Sequence, residues 1–170
     1  MDYVYKIKKA LKAPMVLAVI LSIPVFVDVI RMGYATRVLV MACLLMVLFY
    51  LFTLNNLIKK LIVRDNEIII RGLFGSTRIS VDEVKLVDGV TLGSRQFITI
   101  SAKKNTFIPN NFDDFVSIID SLKSVVKEDA PGKGLQDLRG HVVTRKSDIT
   151  MAWITVILLM IIVVIRFFPL

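Results

Sequence analysis

The sequence predicts an integral membrane protein in which three transmembrane α-helices carry a small antiparallel β-barrel or sandwich capped by a C-terminal α-helix. Three observations lead there. Apolar runs extend from Ala13 to Ile30, from Val38 to Ile58 and from Ile149 to Ile165, each close to the ~20 helical residues that a bilayer core of about 30 Å requires. The second and third contain no charged residue, and segments apolar on every side satisfy their backbone groups in lipid only as helices or closed barrels. Between these two runs the chain becomes charged, rich in Ile, Val and Thr, and punctuated by turn residues. The expected organisation is a basic segment and helical hairpin over 1–58, a compact domain over 59–128, a linker over 129–148 and a third span over 149–170.

The first run follows Lys6, Lys8, Lys9 and Lys12, an arrangement shared with secretion signals, but it ends in Asp28-Val29-Ile30-Arg31 rather than a small-residue cleavage pattern. An uncleaved anchor is expected. Lys59, Lys60 and Arg64 follow the second run, and Arg139, Arg145 and Lys146 precede the third. Only Arg31 and Arg37 lie between the first two, and only Arg166 follows the last. The positive-inside rule therefore places the N-terminus and central domain in the cytoplasm and the C-terminus outside a multi-pass cell (inner) membrane protein. The net charge of +8 is mostly topological. Residues 59–130 hold 11 Lys and Arg against 10 Asp and Glu, which argues against nucleic acid as a partner. Cys43 lies within the second run and has no other cysteine to pair with, in keeping with a reducing compartment.

In the central domain, Asp65-Asn66, Phe74-Gly75-Ser76, Gly93-Ser94 and Lys103-Lys104-Asn105 mark hairpin connections. Strands are expected at 61–64, 67–73, 76–80, 85–92, 95–101 and 105–108. Thr77, Ile79 and Val81 alternate with Ser76, Arg78 and Ser80, and Ile98 and Ile100 oppose Phe97, Thr99 and Ser101, the pattern of half-buried antiparallel strands. Ser80-Val81-Asp82-Glu83 has capping-box spacing. After Pro109, Asn111 is the expected N-cap of a helix with Asp113 and Asp114 in its first turn. Phe112, Phe115, Val116, Ile119, Leu122 and Val126 form its apolar stripe.

Over residues 38–128 the chain resembles bacterial pleckstrin-homology-like (PH-like) membrane proteins, in which a transmembrane hairpin leads into a PH-like barrel. The matching features are NEIIIRGLFGSTRISVDEV, FITIS and the closing FDDFVSIIDSL helix. Val81 stands where many such proteins carry a Trp, and the closing helix has no Trp. The resemblance implies a fold and a scaffold-like role, and it transfers no catalytic residue.

Ala130-Pro131-Gly132-Lys133-Gly134 reads as a flexible connector. Beyond it, Leu135, Leu138, Val142 and Val143 recur at helical spacing, as in a short helix on the headgroups or an irregular linker. Catalytic constellations are missing. One His (His141) and one membrane-embedded Cys rule out an internal His/Cys zinc cluster or a Cys-His pair. Gly132-Lys133-Gly134 lacks the rest of a P-loop. The pairs Asp82-Glu83 and Asp113-Asp114 sit where carboxylates serve helix dipoles. No catalytic residue, cofactor or metal is expected.

Two candidate sites remain. Asp28 is a carboxylate inside an apolar run, where ionisable groups are costly and often functional; the plain alternative is an interfacial pair with Arg31 at i, i+3. Pro24 precedes it by one turn, and Ser22 is placed to take up a carbonyl that Pro24 frees. Lys60, Arg64 and Arg71 lie on the first hairpin, suited to anionic lipid headgroups. Trp153, Tyr3, Tyr5 and Tyr34 fall at interface positions. The leading expectation is a non-enzymatic, membrane-anchored interaction or assembly module with a protein partner or a second copy of itself. An anionic-lipid sensor and a small transport subunit are the alternatives.

Overall fold

The structure, a computed structural model, describes residues 2–93, 95–142 and 146–168. Ser94, Val143 and Arg145, assigned above to a turn, to helical spacing and to the basic approach to the third span, lie outside the described residues. The chain forms two compact units, Met1–Lys8 with Ile58–Arg145, and Lys9–Leu57 with Lys146–Leu170.

The second unit holds three helices: α1 (Lys9–Arg31), α2 (Thr36–Ile58) and α5 (Lys146–Phe167). Each is long and apolar enough to cross a membrane; α1 and α2, at 23 residues, are about 34 Å long. α1 packs along α5. Ser22 is buried, donates to the carbonyl of Val19 (2.7 Å) and pairs with the Tyr50 hydroxyl of α2 (3.1 Å). Its expected service to a carbonyl freed by Pro24, four residues back at Ile20, is not what it does. A hydroxyl partner on α2 holds it one residue earlier.

The first unit is strand-rich. β1 (Tyr3–Lys6), β2 (Lys60–Val63), β3 (Glu67–Gly72) and β4 (Gly75–Ser80) form one antiparallel sheet in that order; β5 (Leu86–Leu92), β6 (Arg95–Ser101) and β7 (Thr106–Pro109) form another. All six expected strands are present. The sheets do not close into a barrel: β4 and β5 are unpaired, separated by a single 3-10 turn, Val81–Glu83. The capping box is not formed there. Ser80 makes no side-chain cap, and Glu83 pairs with Lys103 at 2.6 Å instead; a three-residue turn is too short for the reciprocal geometry.

β1 was not expected. Residues 3–6 are short and mixed in character, and only the ladder Tyr3–Val63 to Lys6–Lys60 makes them a strand. The α1–α2 hairpin is thus inserted between two neighbouring strands of one sheet. Ile7, fully buried, continues the strand by bridging to Phe112, with Asp113 N–H donating to Lys6 O (2.7 Å) and Lys8 N–H to Asn111 O (3.0 Å). This moves the start of the next helix. Residues 111–113 form a turn, a bridge at Phe112 and a bend against the N-terminal strand, so neither Asn111 nor Asp113 caps or begins a helix. α3 runs Phe115–Val125, capped by Asp114 in the left-handed region (φ 49°), whose carboxylate accepts from the Ser117 amide and hydroxyl. Those bonds hold the Asp114 carboxyl below its ordinary range. Of the rest of the stripe, Phe115, Ile119, Leu122 and Val126 are buried, but Val116 is exposed, and Ile118 lies on the buried face instead.

α3 packs on β2. The helix α4 (Lys133–Gly140) packs on β5 and touches α3, burying Leu135 and Leu138 within the unit. The 130–134 segment is therefore no flexible connector. Val87 donates to Ala130 O (2.7 Å) and accepts from Gly132 N–H (2.8 Å), and Gly132 and Gly134 lie against Asp88 and Gly89 so closely that neither leaves room for a Cβ.

Candidate functional site

The outward face of the first sheet is built by period-two alternation, which sends Leu61, Val63, Ile68 and Ile79 inward to burial. Opposite residues in an antiparallel pair share a face. The register therefore sets Lys6, Lys60, Arg71 and Ser76 in one row across four strands, and Val4, Ile62, Ile69 and Arg78 in the next. Lys6, Lys60, Arg71 and Arg78 are exposed, and none has an ion-pair partner among the described residues. A shallow cleft of about 520 Å³ runs over this face, lined by Ile62, Arg64, Ile69, Arg71, Leu73 and Arg78 among others.

Of the expected lipid contacts, Lys60 and Arg71 are direct cross-strand partners. Arg64 is not equivalent to them. It lies beyond the far end of β2 and is committed to Asp2 (3.0 Å) and Glu67 (2.7 Å). Sequence reasoning missed Lys6 and Arg78. Arg78 was within reach, since pairing the strands around Phe74–Gly75 puts Arg71 and Arg78 on one face. Lys6 had no local signal, because its place depends on β1.

The edges of the two sheets differ. The far side of β5 is bridged at Val87 by residues 130–132, and the last residue of β1, Lys6, with Ile7 and Lys8 beyond it, meets 111–113. β7 is only four residues long and ends in Pro109, which has no N–H to offer a new strand. β4 is the six-residue terminal strand of its sheet, exposed from Gly75 to Arg78. A groove of about 390 Å³ lies beside it, lined by Ser76, Thr77, Arg78, Glu83, Lys103 and Lys104 among others. At the β3–β4 turn, Gly75 takes a φ of 133°, reserved in practice for glycine. The turn raises Leu73 and Phe74, 38% and 74% exposed, clear of the sheet.

An acidic groove between β1 and α3 holds Asp2, Asp114 and Asp120, but each carboxylate has a partner: Arg64, Ser117 and Arg139 respectively. Tyr5 reaches across it to donate to Ser117 O (2.9 Å) and to meet the Ser121 hydroxyl, and burial pushes its phenol above the ordinary value. Among the described residues no three His, Cys, Asp or Glu side chains are grouped to hold a metal. The His141 ring lies on the surface, its Nδ1 3.2 Å from the carbonyl oxygen of Asp137. Its backbone oxygen accepts from the buried Gln96 amide (2.7 Å).

In the helical unit Asp28 pairs with Arg166 of α5 at 2.6 Å, not with Arg31. Both lie near the C-terminal ends of their helices, so α1 and α5 run parallel; Arg31, one turn further on, is not needed. The pair is partly exposed, at 24% and 47%, which limits its value to about 1 kcal/mol or less. In a double-mutant cycle of Asp28→Asn and Arg166→Gln, a coupling of ~0.5 kcal/mol is expected in thermal unfolding of the purified protein. Strict additivity would mean that the two helices are not held by this contact.

No protein-family model, curated protein or solved structure matches this chain.

Proposed function

We propose that the protein is a non-enzymatic, membrane-anchored interaction module, its strand-rich unit on the cytoplasmic side and its partner bound by strand addition at β4. The single observation that carries this is the unpaired edge of β4, a six-residue strand exposed from Gly75 to Arg78, while β5 is bridged at Val87 and β7 is short and ends in Pro109. An open edge presents backbone donors and acceptors that a second extended chain completes. Two antiparallel sheets of four and three strands followed by a helix support a scaffold of the PH-like kind. The weight of Lys and Arg on the N-terminal flank, after α2 and before α5 supports the orientation.

A photo-crosslinking residue at Thr77, in membranes of cells that naturally make the protein, should yield a discrete protein adduct. The same residue at Phe107, exposed on β7, should not. Amide exchange across Ser76–Ile79 should be slower in those membranes than in purified protein, because added strand pairing protects amides. Equal exchange in the two preparations would remove strand addition from consideration.

A further inference from the structure

We infer that the strand added at β4 is an acidic segment, its carboxylates at alternate positions set against Arg71, Arg78 and Lys104. The inference rests on the strand-addition reading and names the chemistry of the chain that completes the edge.

The ladder fixes which backbone groups are on offer. Pairs in an antiparallel ladder alternate between exchanging both hydrogen bonds and exchanging none. Val81 N–H donates to Asn66 O (3.0 Å), one step past the Glu67–Ser80 pair. Counting back in twos, Ile79, Thr77 and Gly75 spend their backbone groups on β3. Ser80, Arg78 and Ser76 turn theirs to the open side. An added antiparallel strand therefore bonds to Ser76, Arg78 and Ser80, with its residue opposite Arg78 about 5.5 Å away between Cα atoms. Directly opposite residues share a face, so the partner's side chains at these alternate positions lie beside those of Ser76, Arg78 and Ser80.

Charge then selects the partner. The groove beside β4 carries Arg78, Lys103 and Lys104 against Glu83 alone, and Glu83 is held by Lys103 at 2.6 Å. Arg78 and Lys104 are exposed and have no ion-pair partner among the described residues. The same is true of Arg71, which stands opposite Ser76 on β3. Ser76 is small, so the long Arg71 side chain can extend over it to a carboxylate in the same row of the added strand. The positions opposite Ser76 and Arg78 thus each meet a guanidinium, and Lys104 adds positive potential from the turn between β6 and β7. Opposite charges in cross-strand register stabilise a pair, and like charges destabilise it. A basic strand would be repelled. A second copy of this chain, laid antiparallel on the edge in the same bonding pattern, would bring its own Arg78 opposite or diagonal to this one, which disfavours self-pairing.

The test uses full-length protein in nanodiscs of zwitterionic lipid, with soluble, fluorescently labelled peptides that alternate threonine with glutamate, glutamine or lysine. Anisotropy reads binding, and amide exchange reads its place. The glutamate peptide should bind about tenfold more tightly than the glutamine peptide and slow exchange at Ser76, Arg78 and Ser80; the lysine peptide should not bind. Arg78→Ser and Lys104→Ser should each weaken the glutamate peptide about two- to fivefold. Lys127→Ser, at an exposed cation of the same unit, should leave it unchanged. Glutamate and glutamine peptides that bind equally, with the same amides protected, would overturn the acidic preference and leave strand addition standing. Methylating the glutamate N–H groups, which would face β4, should abolish binding. If that peptide binds as tightly as its parent, the contact is purely ionic, and strand addition falls together with the inference. Failure of every peptide to bind would overturn the inference and leave the Thr77 adduct to judge the edge by itself. Amides of Ser76 and Arg78 protected without peptide, and more so at higher protein concentration, would overturn it in favour of a second copy.

Discussion

Replacing Ile7 with Asp should unfold the strand-rich unit, although the residue lies in a basic N-terminal segment two residues before an apolar helix. Ile7 is fully buried, bridged to Phe112 and flanked by two backbone bonds to residues 111–113. Truncation to Ala is expected to cost about 2–5 kcal/mol. Asp adds a carboxylate with no partner in an apolar core, at several kcal/mol more, against a total stability of about 5–15 kcal/mol for a domain. Val4→Asp, on the outward face and 52% exposed, should be tolerated. Hydrogen exchange and limited proteolysis of the full chain in nanodiscs would read both. If the Ile7→Asp protein keeps protected amides in β2 and β3, the N-terminal strand is not part of the core. The same packing predicts that residues 59–130 alone fold poorly, since that fragment lacks β1 and the plug that Ile7 provides.

The second large effect is expected at the contact between β5 and the segment leading into α4. A Cβ on Gly89 would press into the carbonyl oxygen of Gly134 and lie 2.8 Å from the Leu138 Cβ; one on Gly134 would meet the carbonyl oxygen of Gly89. Both obstacles include backbone, which cannot rotate aside. Gly89→Ala and Gly134→Ala should therefore each cost about 1–3 kcal/mol or more and lift α4 off β5, exposing Leu135 and Leu138. Gly132→Ala meets the Asp88 side chain instead and should be milder. Faster amide exchange in 133–140, with β6 still protected, would be the result. Unchanged exchange in Gly89→Ala would show that the close approach is not maintained. Because the two glycines face each other, the double variant should cost less than the sum of the singles.

Much of the candidate site was visible in the chain and part was not, for one reason. Lys60 and Arg71 could be placed together because they flank a hairpin whose turn is marked locally by Phe74-Gly75. Arg64 was grouped with them because it is close in sequence, but it pairs with its local neighbour Glu67 and with Asp2, which only β1, arriving from the other side of two helices, brings to it. The same applies to Asp28. An i, i+3 partner was available at Arg31, and the tertiary contact between α1 and α5 supplied Arg166 instead.

The sequence by itself determined where the three apolar helices lie, the six strands from Lys60 to Pro109, most of the stripe of α3 and the absence of a second cysteine or histidine. These follow from length, period and composition, which act within a few residues of one another. Tertiary structure alone decided that residues 3–6 belong to the first sheet, that α3 begins at Phe115 under an Asp114 cap, that Gly132 and Gly134 are clamped rather than loose, and that β4 is left as an open edge. Each of these is a pairing between segments far apart in sequence, such as Ile7 with Phe112, Val87 with Gly132 and Lys6 with Lys60. Local patterns carry no record of which distant backbone will satisfy a given N–H or fill a given gap, so those outcomes emerge only when the whole chain packs.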